Sequence, residues 1–247
     1  MPDLPKMLRP LLTAAALLSA PGLAAPTNDA LAALNRGQPG VTIALLAGRR
    51  DAPALSLLAR AYVGQSVFAD GLPEKRTLYA ASEAAARAAL AADARSAEAH
   101  VELANALALQ LQGAGVVRAT RTGLEIRRLF EQALALDPAQ ARAWMGLGTW
   151  HAQALGLGPL VVLTTGASEE ALRTSHRRAI ALAPDEVFFR LSYADSLLLL
   201  AATDAHRAAT LRREARQLLA EALALKPQTY WQRHDQDQVR ERLRGLP

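Results

Sequence analysis

The chain contains no cysteine, which excludes disulfides, thiol catalysis and thiolate metal sites. Aromatic residues are scarce as well, 4% against 51% hydrophobic residues overall, so alanine and leucine must build the core. Those two residues lead the helix-propensity scale and lose little entropy on coiling. Strands would need more valine, isoleucine, threonine and aromatics than are present. The composition predicts an all-α fold. Lysine is nearly missing, and almost all the positive charge behind the net +5 is arginine. A basic balance can serve nucleic acid or an anionic membrane. Here, though, arginines alternate with acids, as in Arg87, Glu98 and Glu102 or Arg212–Arg213–Glu214–Arg216. That pattern reads as a solvated, salt-bridged surface, and no nucleic-acid partner is expected.

At the start of the chain, Lys6 and Arg9 precede an apolar run from Leu11 to Ala20. Pro21-Gly22 then breaks any helix, and Gly22-Leu23-Ala24-Ala25 offers small residues to a signal peptidase. Residues 1–24 are therefore expected to be a secretory signal cleaved near Ala24. The run is too short to span a bilayer, which takes about 20 residues; retention as an N-terminal anchor stays open. In a bacterium with two membranes, the destination would be the periplasm, with no membrane span after signal removal.

The remainder repeats itself. Four segments end alike: Ala89-Leu90-Ala91-Ala92-Asp93, Ala133-Leu134-Ala135-Leu136-Asp137-Pro138, Ala179-Ile180-Ala181-Leu182-Ala183-Pro184 and Ala222-Leu223-Ala224-Leu225-Lys226-Pro227. Their first alanines are 44, 46 and 43 residues apart. Each segment reads as the end of an amphipathic helix, stopped in three cases by proline. A second set keeps the same step: Leu58-Ala59 with Tyr62, Leu103-Ala104 with Leu107, Leu147-Gly148 with His151, and Tyr193-Ala194 with Leu197. Within each, the large residue and the bulky one share a helix face, while the small one admits a neighbouring helix.

These residues resemble the tetratricopeptide repeat (TPR) family. Trp144, Leu147, Gly148 and His151 stand where that family's first helix has Trp, Leu, Gly and an aromatic. Phe130, Ala133 and Pro138 stand at its second-helix Phe, Ala and closing Pro. The resemblance covers about residues 52–227 and departs in period, the common unit being about 34 residues. The extra residues fall between the helices of each unit, at Val67–Lys75, Gly113–Thr120, Gly156–Ala167 and around Ala202–His206. With Gly148-Thr149-Trp150-His151, those long connections resemble the regulator-of-microtubule-dynamics family and its bacterial relatives. That likeness does not carry microtubule binding over to an exported protein.

The resemblance implies a right-handed superhelical stack of antiparallel helix hairpins, a TPR-like solenoid with long inter-helix loops. Four repeats are expected, at about 52–94, 97–138, 141–184 and 187–227. Residues 25–51, with Ala30–Leu34 helical, form a leader or N-terminal cap, and residues 228–247 a charged capping helix that keeps the stack soluble. Whether the fourth repeat is a full hairpin or one bent helix is left open.

Chemistry is hard to find. His100, His151, His176, His206 and His234 include no pair at the spacing that puts two metal ligands on one helix face. Neither metal nor cofactor is expected. His151 reads as a packing histidine, and Glu169-Glu170 as acids offsetting a helix dipole. Gly113-Ala114-Gly115 and Gly156-Leu157-Gly158-Pro159 lack the Lys-Ser/Thr of a phosphate loop, and no Gly-x-Ser-x-Gly elbow occurs. No catalytic residue emerges, and the protein is not read as an enzyme.

Binding is the better expectation, because stacked hairpins form a concave groove lined by the first helix of each pair. Arg60, Asn105, Arg142, Thr149 and Asp195 are the candidate groove residues. Of the clamp with which some TPR domains grip chaperone tails, only Asn105 matches; Ser56, Arg60, Glu102 and Gly146 stand at other clamp-related positions. Arg60 and Arg142 are suited to holding a partner's carboxylate, although ordinary surface roles remain open for both. Trp144, Trp150 and Trp231 are candidate anchors, with buried packing the alternative for the first two. Leu160-Val161-Val162-Leu163 reads as an apolar loop that either folds over the third pair or meets a partner or membrane. The sequence thus points to an exported adaptor for a protein or peptide partner. The alternative is a small-molecule-binding accessory of a transport system, with a deep pocket lined by 113–120 and 156–167.

Overall fold

Helix starts in this chain are written as caps. The side chains of Asp51, Ser96, Ser168 and Thr229 each accept the backbone N–H three residues on, from Ala54, Ala99, Ala171 and Gln232; such caps satisfy donors the helix itself leaves open. Pro39, Pro53, Pro73 and Pro159 occupy first-turn positions, where a missing N–H costs nothing. The computed structural model describes residues 25–112 and 114–246. Among them are α1 (Ala25–Asn35), α2 (Pro39–Leu46), α3 (Ala52–Gln65), α4 (Leu72–Ala92), α5 (Ala97–Gln110) and α6 (Val116–Leu136). There follow α7 (Ala141–Gly156), α8 (Pro159–Thr165), α9 (Glu169–Leu182), α10 (Val187–Thr203), α11 (Ala208–Ala224) and α12 (Tyr230–Gly245), with no strand among the described residues. The signal expected at 1–24 lies outside them.

The solenoid is confirmed as a stack of hairpins: α3 with α4, α5 with α6, α7 with α9, and α10 with α11. The fourth unit is a full hairpin, turning at residues 204–207. The repeated alanines are its packing points. Ala89, Ala133, Ala179 and Ala222 are all fully buried. The carbonyls of the first three accept the N–H groups of Asp93, Asp137 and Ala183, which end α4, α6 and α9.

In α7 two glycines carry the close approach. A Cβ on Gly146 would stand 2.2 Å from the Phe130 ring of α6, and one on Gly148 would stand 2.6 Å from the His176 ring of α9. In an open helix, alanine in place of glycine is worth up to about 1 kcal/mol of stability. Here the Gly148→Ala variant is expected to lose about 1–3 kcal/mol, because overpacking outweighs propensity. Thermal unfolding of the two proteins measures the sign.

One expected loop is a helix. Residues Leu160–Leu163 lie in α8, which is bracketed by Gly158 and Gly166 at φ of 104° and 68°. Those are left-handed values that favour glycine. Val161 packs into the core of the first three units, while Leu160 and Leu163 face outward.

The two ends of the chain meet. Trp231 at the start of α12 is 2% exposed, and its indole N–H donates to the Leu34 carbonyl of α1 at 2.7 Å. It packs with Leu34, Leu46, Ala54, Leu57 and Ala61 of α1–α3, and a Cβ on Gly64 would lie 3.1 Å from its ring. Phe68 and Tyr230 extend this aromatic junction. Further along α12, Arg242 pairs with Asp195 of α10, and Gln236 donates to the terminal carbonyls of α11 at Ala222, Leu223 and Leu225. Thus α12 ties the last unit to the first.

Candidate functional site

The inner helices of the units are α3, α5, α7 and α10. Twelve of the sixteen α7 residues are buried, and α5 and α10 are similarly covered. A helix buried around most of its circumference must place its polar groups against one another. All five candidate groove residues lie on these helices, and all are buried: Arg60 at 4% exposure, Asn105 at 4%, Arg142 at 1%, Thr149 at 3% and Asp195 at 9%.

At the centre, two arginines and two glutamates neutralise each other. The Arg60 Nε donates to Glu102 Oε1 at 3.0 Å, and Arg142 Nη1 donates to the same oxygen at 2.7 Å and to Glu98 Oε1 at 2.8 Å. Arg60 also pairs with Glu98, and Gln140 Nε2 donates to Glu98 Oε2 at 3.1 Å. Burial raises the pKa of Glu102, but Arg142 and Arg60 outweigh it and hold the carboxyl below its ordinary value. Burial, followed by the charge of Arg142, pushes Arg60 down to about 10, so it remains a cation at neutral pH. The carboxylate that Arg60 and Arg142 were suited to hold is supplied from within, by α5. Glu102 is 1% exposed, which corrects its reading as part of a solvated face.

Thr149 and Asp195 find partners outside the cluster. The Thr149 hydroxyl bonds with the Ser192 hydroxyl at 3.0 Å. Asp195 holds Arg242 of α12 at 2.8 Å; burial raises its pKa, and Arg242 opposes that shift. The buried carboxamide oxygen of Asn105 has no hydrogen-bond partner. At the seam between α10 and α12, burial and the nearby Glu186 hold the Asp235 carboxyl well above the usual carboxylate range.

The tryptophans pack rather than project. Trp150 donates to the Gly123 carbonyl at 2.6 Å, Trp144 donates to the Pro138 carbonyl at 2.9 Å, and Trp231 is sealed in the junction. His151 is the packing histidine expected: its Nδ1 accepts the Ser168 N–H at 3.3 Å. His176, fully buried, stacks on Tyr193 and bonds Ser196 at 3.0 Å. Burial pushes His176 down to about 3 and His151 to about 4. Between pH 6.5 and those values the unfolded chain binds protons that the folded protein excludes, so stability falls with falling pH. From pH 7 to pH 5, His176 alone is expected to cost about 2 kcal/mol. A His176→Asn variant should lose that part of the acid slope, as read from urea midpoints at the two pH values.

A shallow charged hollow of about 400 Å³ lies elsewhere, lined by Glu169, Glu170, Arg173, Thr174, Arg177 and Arg207. None of its lining comes from 113–120 or 156–167. Within it Glu169 accepts from Arg173 and Arg207, both at 2.8 Å.

Sequence reasoning placed Glu98 and Glu102 on a solvated face, took Trp231 as an anchor for a partner, and gave Arg242 no role beyond the charge of the capping helix. The signal available was the spacing of Glu98 and Arg142, opposite charges 44 residues apart and therefore one repeat step apart.

Comparison with known proteins agrees with this architecture. The family model of regulator of microtubule dynamics protein 1-3 matches residues 41–161, from α2 into α8. No curated protein matches the chain. A solved structure, that of a thermophilic TPR protein in Thermus thermophilus, is similar with a TM-score of 0.60 and 19% sequence identity, covering 87% of this chain and 97% of that one. At that identity the likeness is one of fold. Repeat steps, hairpin stack and the structural likeness together show a TPR-like helical fold.

Proposed function

We propose that the protein is an exported, non-enzymatic interaction scaffold whose inner face takes a helix or extended peptide from a protein partner. TPR-like folds suggest protein-interaction scaffolds. The observation that supports the inner face most is the seating of α12, in which an indole N–H meets a carbonyl of α1 and an arginine meets the buried Asp195 of α10. A partner helix with an aromatic near one end and a basic residue about three turns later would meet the same groups. Arg60 and Arg142 shape that face from beneath, through Glu98 and Glu102, rather than touching the partner.

The test is affinity capture on the full chain as purified, compared with a Trp231→Ala/Arg242→Glu variant that frees the seat. A discrete protein retained at low and high salt, and held more strongly by the variant, is the expected result. Retention at low salt alone would mean that the arginine-rich surface collects anions nonspecifically, and would overturn the reading. Export is checked separately: the periplasmic form should begin near Ala25 by N-terminal sequencing.

A further inference from the structure

Ten large apolar side chains stand exposed among the described residues, and five of them belong to the edge where α6, α7 and α8 are joined by the Arg127–Thr165 and Trp150–Gly123 hydrogen bonds: Val117 and Leu124 on α6, Leu157 at the end of α7, and Leu160 and Leu163 on α8. The three most exposed, Val117 at 86%, Leu163 at 82% and Leu160 at 75%, are all in this group. The edge is built rather than frayed. Arg127 of α6 donates to the Thr165 carbonyl that ends α8, at 2.7 Å, and its guanidinium lies 5.0 Å from the Trp150 ring. Val161 anchors α8 in the same core cluster as Ile126 and Leu129 of α6. With one face held this way, α8 turns Leu160 and Leu163 to solvent, and its seven residues carry no charge.

Positive charge predominates on α6 beside this edge, with four arginines to two glutamates. Arg118, Arg121 and Arg128 of α6 are exposed. The acids on the same helix are occupied by other arginines, since Glu131 pairs with Arg127 at 2.7 Å and Glu125 lies 3.9 Å from Arg87. Protein interfaces concentrate aromatics and methionine at their centres and shed charge there. This edge offers aliphatic tips without an aromatic, with exposed arginines alongside on α6, which suits an interfacial membrane contact. None of the described helices is long and apolar enough to cross a membrane, so the contact is with its surface.

We infer that this edge docks on an anionic lipid bilayer. Leu160, Leu163 and Val117 enter the boundary between headgroups and acyl chains, while Arg118, Arg121 and Arg128 lie at the lipid phosphates. The contact is independent of the inner face, and it would hold the scaffold against a membrane while the seat of α12 takes a partner.

The experiment is co-sedimentation of the full chain with vesicles of phosphatidylcholine alone or with one third phosphatidylglycerol. Binding to the anionic vesicles should exceed binding to the neutral ones by at least about tenfold and weaken with added salt. The Leu160→Asp/Leu163→Asp variant, whose changes are on exposed positions, should keep the parent's helicity and unfolding midpoint yet lose binding about tenfold or more. Arg118→Gln/Arg121→Gln/Arg128→Gln should lose the preference for anionic vesicles. Equal binding to both vesicle types, or binding unchanged in the leucine variant, overturns the proposal. So does an absence of vesicle binding combined with self-association that the leucine variant abolishes, which would assign the edge to a second copy of the chain.

Discussion

Replacing Glu102 by alanine is expected to lower stability by about 3–5 kcal/mol, because two buried arginines then lose their shared counter-charge. Glu102 is the hub of the cluster. Its Oε1 accepts from both Arg60 and Arg142, and at 1% exposure the residue is shut off from bulk solvent. Glu98 contacts both arginines as well, but its side chain is 27% exposed, so water screens its share. Glu98→Ala should therefore cost markedly less than Glu102→Ala. The loss should also be recoverable, since replacing a whole buried ion cluster with packed apolar groups is often neutral or stabilising. Arg60→Met/Glu102→Leu/Arg142→Met is accordingly expected to be more stable than Glu102→Ala alone. Urea unfolding of the four proteins measures each step, and coupling between the sites follows from double-mutant cycles. The pH dependence has a definite sign. The folded-state pKa of Glu102 is held below its unfolded value, so its contribution is complete above pH 4.5 and is lost as pH falls through the folded pKa. Acid should thus remove two contributions in turn, those of His176 and His151 below pH 6.5 and that of Glu102 below pH 4.5, while the raised carboxyls of Asp235 and Asp195 act in the opposite direction.

Trp231→Ala should cost about 3–5 kcal/mol through the cavity it leaves, plus a hydrogen bond between the two ends of the chain. Its effect should be local in a way that the Glu102 effect is not. Contacts in a repeat stack run mainly between neighbours, so a terminal change propagates weakly into central units. Hydrogen exchange should show α1 and α12 losing protection, while amides at Ala133 in α6 and Ala152 in α7 keep theirs. Uniform loss across all units would mean that the closure stabilises the whole array rather than its ends.

The stack was legible because its evidence is periodic. Alanines at 89, 133, 179 and 222 recur at one helix position, and each proves to be a buried contact. Proline likewise placed three helix ends, at Pro138, Pro184 and Pro227. What escaped depends on contacts the local pattern does not contain. Glu98 and Glu102 stand four apart on α5, as on any solvated helix, and only the stacking of α3 and α7 on either side buries Glu102 and partly covers Glu98. The Trp231–Leu34 bond joins residues 197 positions apart, across the closure of the superhelix, which no repeat motif encodes. Helix α8 is too short for a 3.6-residue period to show, and Gly158 and Gly166 at its ends gave it the look of a loop. The candidate groove residues were assigned to the correct helices, but exposure at the inner face is decided by what covers it, and here Arg242 of α12 meets Asp195 directly.

The central claim is that the chain closes its own inner face by joining α12 to α1. Since the protein has no cysteine, spin labels can be placed on introduced cysteines at the exposed positions Asp29 of α1 and Arg233 of α12. Pulsed electron spin resonance should give a single narrow distance distribution that broadens in the Trp231→Ala background. A broad distribution in the parent protein, unchanged by Trp231→Ala, would show that the ends are not joined and would contradict the account.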